Sequence, residues 1–79
     1  MPFYFYQWNA VNIRYLAQHD VSQDEFEEVV GNPEVSEESR SSGRFIALGT
    51  TAMGSSLCCV YEMLDDVTVY PFTAYEIER

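Results

Sequence analysis

The pattern of apolar and polar positions along the chain predicts a strand, two helices and then a run of strands. Residues 3–8 are almost entirely aromatic and lack helical spacing, which is typical of a short strand. Residues 10–19 follow with an apolar stripe at helical spacing, and Asn9 before them is a residue type that caps helices. The predicted stripe consists of Ala10, Ile13, Leu16 and Ala17.

The second predicted helix carries sequence signals at both ends. Ser22 and Glu25 have the spacing of a capping box, in which each side chain accepts a hydrogen bond from a backbone N–H at the helix start. The tripeptide Gly31-Asn32-Pro33 predicts the end of this helix. The apolar face of the helix is predicted to consist of Phe26, Val29 and Val30.

Three strand-like runs occupy the second half of the chain. Residues 34–43 are polar and rich in serine, which predicts a loop with a short edge strand around Val35. The runs that follow cover residues 44–51, 57–63 and 67–74. Pro71 lies within the last run and cannot donate to a strand ladder, so this strand is expected at a sheet edge or bulged near Pro71.

The predicted order of elements is β-α-α-β-β-β. Helices that are separated from consecutive hairpins indicate an α+β fold, with two helices packed on a mostly antiparallel sheet of four to five strands. A length of 79 residues fits one small domain, residues 1–79.

The charge balance restricts the classes of partner. The chain has 13 acidic residues against four basic ones, all arginine, and a formal net charge of −9. Such a chain is poorly suited to nucleic acid, because proteins gain that affinity by neutralising phosphates with Lys and Arg. No apolar run approaches the roughly 20 residues that span a bilayer, and no secretory signal is visible. We therefore expect a cytoplasmic protein without a membrane segment.

Metal and cofactor motifs are not visible in the sequence. There is no C-x-x-C, no histidine cluster and no H-E-x-x-H, so no metal ion and no cofactor is expected. Cys58 and Cys59 are adjacent, which favours two reduced and mostly buried thiols over a disulfide. The serines lack a G-x-S-x-G context, so a hydrolase nucleophile is not expected.

A series of motifs covers nearly the whole chain in a fixed order. It includes Trp8-Asn9, residues 16–22, residues 25–33, residues 44–51 and residues 73–76. The most distinctive part is His19-x-Val21-Ser22, followed by a helix with the pattern E-x-E-E-V. In these motifs the chain resembles toxins of the BrnT type and their uncharacterised relatives, which have a RelE-like ribonuclease fold.

The resemblance implies a cytoplasmic ribonuclease toxin that a cognate basic, DNA-binding antitoxin holds inactive. The chain departs from the family pattern at three positions: it has Gln18 for lysine, Asp20 for glycine and Tyr75 for arginine. Gln18, Tyr75 and the net charge of −9 weaken the expectation of endoribonuclease activity in this member. The alternative is a noncatalytic protein-binding module on the same fold.

A ribonuclease that uses the 2′-hydroxyl route needs a base, an acid and a cation that stabilises the phosphorane. The candidates for catalysis are His19 and Arg44, with assistance from Tyr75 or Glu76. The simpler interpretations are that His19 interacts with the last carbonyls of a helix and that Arg44 forms a salt bridge. The remaining cations are Arg14, Arg40 and Arg79.

The carboxylates are concentrated in residues 20–38, where eight of the 13 are found. Three explanations stay open: a solvated helix face that keeps the protein soluble, a high-salt habitat, and a surface for a basic partner such as an antitoxin. The residues expected to bind such a partner are Asp24, Glu27 and Glu28. The sequence does not indicate an oligomeric state.

Overall fold

Two helices pack on a mostly antiparallel five-stranded sheet in the computed structural model, which describes residues 4–38 and 43–77. The order of strands in the sheet is β1-β5-β4-β3-β2; β1 is parallel to β5 and the other pairs are antiparallel. The α+β prediction is therefore confirmed, and β2 is the short edge strand expected near Val35. The elements are β1 (Phe5–Tyr6), α1 (Ala10–Gln18), α2 (Gln23–Gly31), β2 (Val35–Glu38), β3 (Phe45–Thr50), β4 (Ser56–Met63) and β5 (Thr68–Glu76).

The first turn of α1 is held by two asparagines. The Asn9 side chain accepts hydrogen bonds from the backbone N–H groups of Val11 and Asn12, as its position before the helix predicted. Asn12 completes the cap, because its Oδ1 accepts from the Asn9 N–H at 2.8 Å and its Nδ2 donates to the Gln7 carbonyl at 3.0 Å. Both polar atoms of this buried side chain are therefore hydrogen-bonded.

The predicted apolar stripe of α1 is wrong in part. Leu16 is buried, but Ala10, Ile13 and Ala17 are exposed, and Asn12 is buried instead. The physical reason is the cap: it requires Asn12 to face inward, so the buried side of the helix passes through positions 12 and 16, one turn apart.

The end of α1 is a Schellman motif. The Asp20 N–H donates to the Ala17 carbonyl at 3.1 Å, and the Val21 N–H donates to the Leu16 carbonyl at 3.0 Å. The hydrophobic contact typical of this motif is available, because Leu16 and Val21 are both buried members of the core. Asp20 has a φ of 58°, in the left-handed region that favours glycine.

Replacing Asp20 with glycine is expected to stabilise the protein by about 0.5–1 kcal/mol, because glycine adopts this backbone conformation without the steric cost of a Cβ. The free energy of unfolding in urea measures the gain. Asp20→Ala is the matched control; it retains a Cβ and lacks the local hydrogen bonding of an Asp side chain, so no gain is expected. A glycine variant no more stable than the alanine variant would contradict this account of the turn.

The sequence signals of α2 are confirmed. The Ser22 Oγ accepts from the Glu25 N–H at 3.1 Å, and the Glu25 Oε1 accepts from the Ser22 N–H at 3.0 Å. The helix ends at Gly31, within the tripeptide that predicted its end. Its buried residues are Phe26, Val29 and Val30, as expected.

The bulge expected near Pro71 is present in β5. Val60 pairs with Thr73 and Tyr61 pairs with Pro71, so Phe72 is the extra residue on the bulged strand. The parallel strand β1 pairs with Thr68 and Val69, before the position of the proline. The missing N–H of Pro71 is thus placed where the ladder is already interrupted.

The two faces of the sheet have different surroundings. The helix face packs against α2 and is almost completely buried. It includes Ala47, Leu57, Cys59, Tyr61, Val69 and Ala74. The opposite side, which we call the open face, has two rows of side chains that cross β2, β3, β4 and β5 in register: Val35, Leu48, Cys58 and Tyr75 in the first row, and Glu37, Ile46, Val60 and Thr73 in the second.

Candidate functional site

The open face is the principal surface feature of the described residues. An antiparallel sheet with one solvated face normally alternates apolar and polar residues along each strand. Here residues 45–48 of β3 are all apolar, so Ile46 and Leu48 lie on the open face while Ala47 lies on the helix face. In β4, Val60 and Cys58 continue the apolar surface. Among the described residues, no helix packs over the centre of these rows.

The helix α1 lies beside β5 and borders the open face with aromatic contacts. The ring of Tyr15 stacks on that of Phe72, with centroids 6.3 Å apart and an interplanar angle of 18°. One turn further, the His19 ring contacts the Tyr75 ring with centroids 6.3 Å apart. Tyr15 and Tyr75 are nearly half exposed. Together these rings form a wall along one side of the open face.

Arg44 lies at one end of the open face, where it contacts a carboxylate and an aromatic ring. Its Nε is 3.3 Å from Glu62 Oε1, and its guanidinium carbon is 4.0 Å from the centre of the Phe72 ring. The predicted salt bridge is therefore confirmed. Because both charged side chains are more than a third exposed, this ion pair contributes at most about 1 kcal/mol to stability.

The four predicted catalytic residues are divided between the two sides of the sheet. Tyr75 is on the open face, where it contacts His19, and Arg44 is at the end of the same face. Glu76 follows Tyr75 in the strand and pairs with Leu57, so it has the opposite orientation. Arg44 contacts Phe72, three residues before Tyr75 and therefore about 10 Å away along β5.

The protonation of Tyr75 also bears on catalysis. A hydrogen bond between the side chains of Tyr75 and Cys58 raises the pKa of the Tyr75 hydroxyl above its usual value. A phenol with a raised pKa is protonated at neutral pH, so Tyr75 is suited to donate a hydrogen bond and unsuited to act as a base.

His19 occupies the C-cap of α1, where its backbone N–H donates to the Leu16 carbonyl at 3.0 Å. The expected position at the end of a helix is confirmed. A role of its imidazole in catalysis stays a prediction, as does that of Arg44, Tyr75 and Glu76. Of the three further cations considered from the sequence, Arg14 is exposed on α1, while Arg40 and Arg79 lie outside the described residues.

The two cysteines are free and buried, and they point to opposite faces of β4. Cys58 is on the open face and Cys59 is in the core, so their side chains diverge from neighbouring positions. Burial raises the pKa of the Cys59 thiol to about 12, which makes it a poor nucleophile at neutral pH.

The carboxylates expected to bind a partner lie on α2, on the other side of the sheet from the open face. Asp24 is exposed in the first turn of the helix. The Glu27 carboxylate accepts a hydrogen bond from Trp8 Nε1 at 2.8 Å, and the Glu28 carboxylate accepts one from the Ala52 N–H. Glu27 and Glu28 thus tie α2 to the segment after β1 and to the turn after β3, and partner binding by all three stays a prediction.

The tyrosines do not form a single stacking platform. Tyr6 packs edge-to-face on Phe26, and Tyr61 stacks on Phe45 with ring centroids 5.6 Å apart. The Tyr70 hydroxyl accepts a hydrogen bond from Asn9 Nδ2 at 3.2 Å. Tyr6 and Tyr61 therefore pack with core residues, while Tyr75 has an exposed ring.

A concave region lies between the two helices. It is an open groove of about 460 Å³, and Ile13, Ala17, Gln23 and Asp24 are among its lining residues. Within residues 4–38 and 43–77, no group of three or more His, Cys, Asp or Glu side chains could hold a metal ion. In the same part of the chain, no helix is long and apolar enough to cross a membrane.

No protein-family model, curated protein or solved structure matches the chain. The likeness to BrnT toxins therefore stays a prediction from the sequence.

Proposed function

We propose that this protein is a noncatalytic protein-binding module and that the open face is its docking surface. The observation that carries the proposal is the apolar composition of both sides of β3 and β4, of which only one side is covered by α2. Covering the open face would remove apolar area from water, which favours association through the hydrophobic effect. A sheet that only needed to fold would tolerate polar residues at these positions.

The charge of the chain supports a basic partner. With a net charge of −9 and no lysine, the protein attracts cationic proteins over long range and repels anionic ones. In a lineage of the BrnT type, a cognate basic antitoxin would be such a partner. The acidic residues Asp24, Glu27 and Glu28 would then add attraction from the far side of the sheet without forming the central contact.

A ribonuclease is the second candidate, and one observation favours it: His19, Arg44 and Tyr75 all border the same side of the sheet. Three features weigh against it. Arg44 is already paired with Glu62, it lies about 10 Å along the strand from the histidine contact, and Tyr75 holds its proton. RNA would also meet the net charge of −9.

Induced expression in a bacterial host separates the two candidates. For a binding module we expect unimpaired growth and intact cellular RNA, measured by culture density and by RNA electrophoresis. Growth arrest with RNA cleavage, both abolished by His19→Ala and by Arg44→Ala, would overturn the proposal in favour of the nuclease.

Site-specific photo-crosslinking in the native host tests the docking surface itself. A photoreactive amino acid replaces Leu48 on the open face or, as control, Met53, which is 91% exposed on the turn after β3. We expect one crosslinked protein from position 48, identified by mass spectrometry, and none from position 53. Crosslinking in neither case, or the same products from both, would count against the open face as the docking surface.

A further inference from the structure

The open face has a distinctive shape and size. Its two rows lie two residues apart along the strands, which corresponds to about 7 Å, and they cross four strands spaced about 4.8 Å apart. Including side-chain width, the two rows cover a band of roughly 12 by 19 Å, or about 230 Å². The band is apolar at its centre, and its second row ends in Glu37 and Thr73. A stable protein–protein interface of standard size buries about 800 Å² on each partner. The band alone is therefore too small to hold a second compact domain.

The backbone of the face limits what can cover it. In the centre of the face, the strands β3 and β4 form ladders with neighbours on both sides. An extended peptide laid over these side chains would leave its own N–H and C=O groups unpaired against an apolar surface, at a cost of several kcal/mol. An α-helix satisfies its backbone internally, and its diameter of about 10–12 Å matches the width of the band.

The charged residues around the band determine which sign of charge the polar side of such a helix should carry. Glu37 is exposed at the β2 end of the second row, next to Ile46. At the other margin, the Glu62 charge is matched by Arg44. The described residues at the margin of the band thus carry a net negative charge, and the net charge of the whole chain has the same sign. A second copy of this chain would bring like charges together.

We propose that the open face binds one amphipathic α-helix of a partner protein, with an apolar stripe about four turns long flanked by Lys or Arg. This inference rests on the function proposed above and specifies its partner. The stripe packs on Leu48 and Val60 at the centre of the face. On the α1 side the stripe is bordered by the rings of Tyr15, Phe72 and Tyr75. Its basic flank lies over Glu37.

The test uses two synthetic helical peptides of about 14 residues with the same leucine stripe. One peptide carries lysine at all positions outside the stripe, and the second carries glutamate at the same positions. Binding to the full chain is measured by titration, and the contact surface is mapped from backbone amide chemical shifts. We expect the lysine peptide to bind more tightly than the glutamate peptide by at least about tenfold, with shifts centred on Ile46, Leu48 and Val60.

Two protein variants provide the matched comparison. Val60→Asp places a charge in the centre of the open face and is expected to weaken binding of the lysine peptide at least about tenfold. Val67→Asp makes the same change at an exposed position before β5 and is expected to leave the affinity within about twofold. If Val60→Asp does not fold, the shift map on the unaltered protein still decides the question.

Several outcomes would overturn the inference. Chemical-shift changes confined to the outer side of α2 around Asp24 and Glu28 would show that the peptide binds the acidic residues of α2 by electrostatic attraction and does not bind the open face. Equal binding of both peptides would exclude the basic flank. A concentration-dependent dimer in sedimentation equilibrium that Val60→Asp abolishes would make a second copy the occupant. A crosslink from position 48 without peptide binding would leave the binding module intact and reject the helix as its partner.

Discussion

Replacing Phe26 with alanine is expected to lower the free energy of unfolding by about 3–5 kcal/mol. Phe26 is fully buried at the centre of the contact between α2 and the sheet. Its ring makes edge-to-face contacts with Tyr6 and Trp8, at centroid distances of 6.5 and 5.5 Å. A chain of 79 residues has a stability of about 4–12 kcal/mol, so this single substitution removes much of it.

Urea denaturation followed by circular dichroism measures this loss. Phe5→Ala is the matched control, since Phe5 is 62% exposed and retains its backbone hydrogen bond to the Val67 carbonyl; a cost below about 1 kcal/mol is expected. A cost for Phe26→Ala as small as that of the control would mean that α2 is not held by this side chain.

Raising the pH above about 9 is expected to destabilise the fold through Cys59. Burial raises the pKa of this thiol from 9.0 to about 12 in the folded protein. Between these values the unfolded chain releases the thiol proton while the folded protein retains it, so the unfolded state is favoured as the pH rises. Stability is lost at about 1.4 kcal/mol per pH unit between these two values. Below pH 9 the thiol is protonated in both states, and its contribution to stability is unchanged. Burial also raises the pKa of Tyr6 to about 12, which adds to the loss above pH 10.

The dependence of stability on pH distinguishes the role of Cys59 from a general loss of structure. Cys59→Ala is expected to be less stable at neutral pH, because it leaves a small cavity, but its stability should fall less steeply between pH 9 and 12. Cys58→Ala retains the core thiol and should keep most of the slope. Identical slopes in all three proteins, measured by urea unfolding at each pH, would refute the assignment to Cys59.

The ends of the helices could be predicted because their signals are local. The Asn9 cap and the capping box of Ser22 and Glu25 depend on groups two or three residues apart, and the structure contains both. The buried side of α1 could not be predicted in the same way. Hydrophobic spacing favoured Ile13, but the cap turned Asn12 inward, and no apolar pattern signals a buried asparagine.

The candidate site was only partly visible in the sequence. The pairing of Arg44 with a carboxylate was expected, but its partner Glu62 is 18 residues away and became evident only from strand register. The open face was missed, although the apolar run of residues 45–48 was a signal for it. In a strand with both sides apolar, that run indicates two surfaces to be covered. Of the two helices in the described part of the chain, α2 covers one of these surfaces and α1 lies beside β5.

The sequence by itself determined the order and type of the elements, because spacing, caps and turn residues act within a few positions of one another. It also determined the net charge of −9 and hence the sign of any electrostatic partner. Only the tertiary structure decided that α2 covers one face of the sheet and leaves Leu48 and Val60 on the other. That choice depends on strand register and helix placement, which bring together residues far apart in the chain.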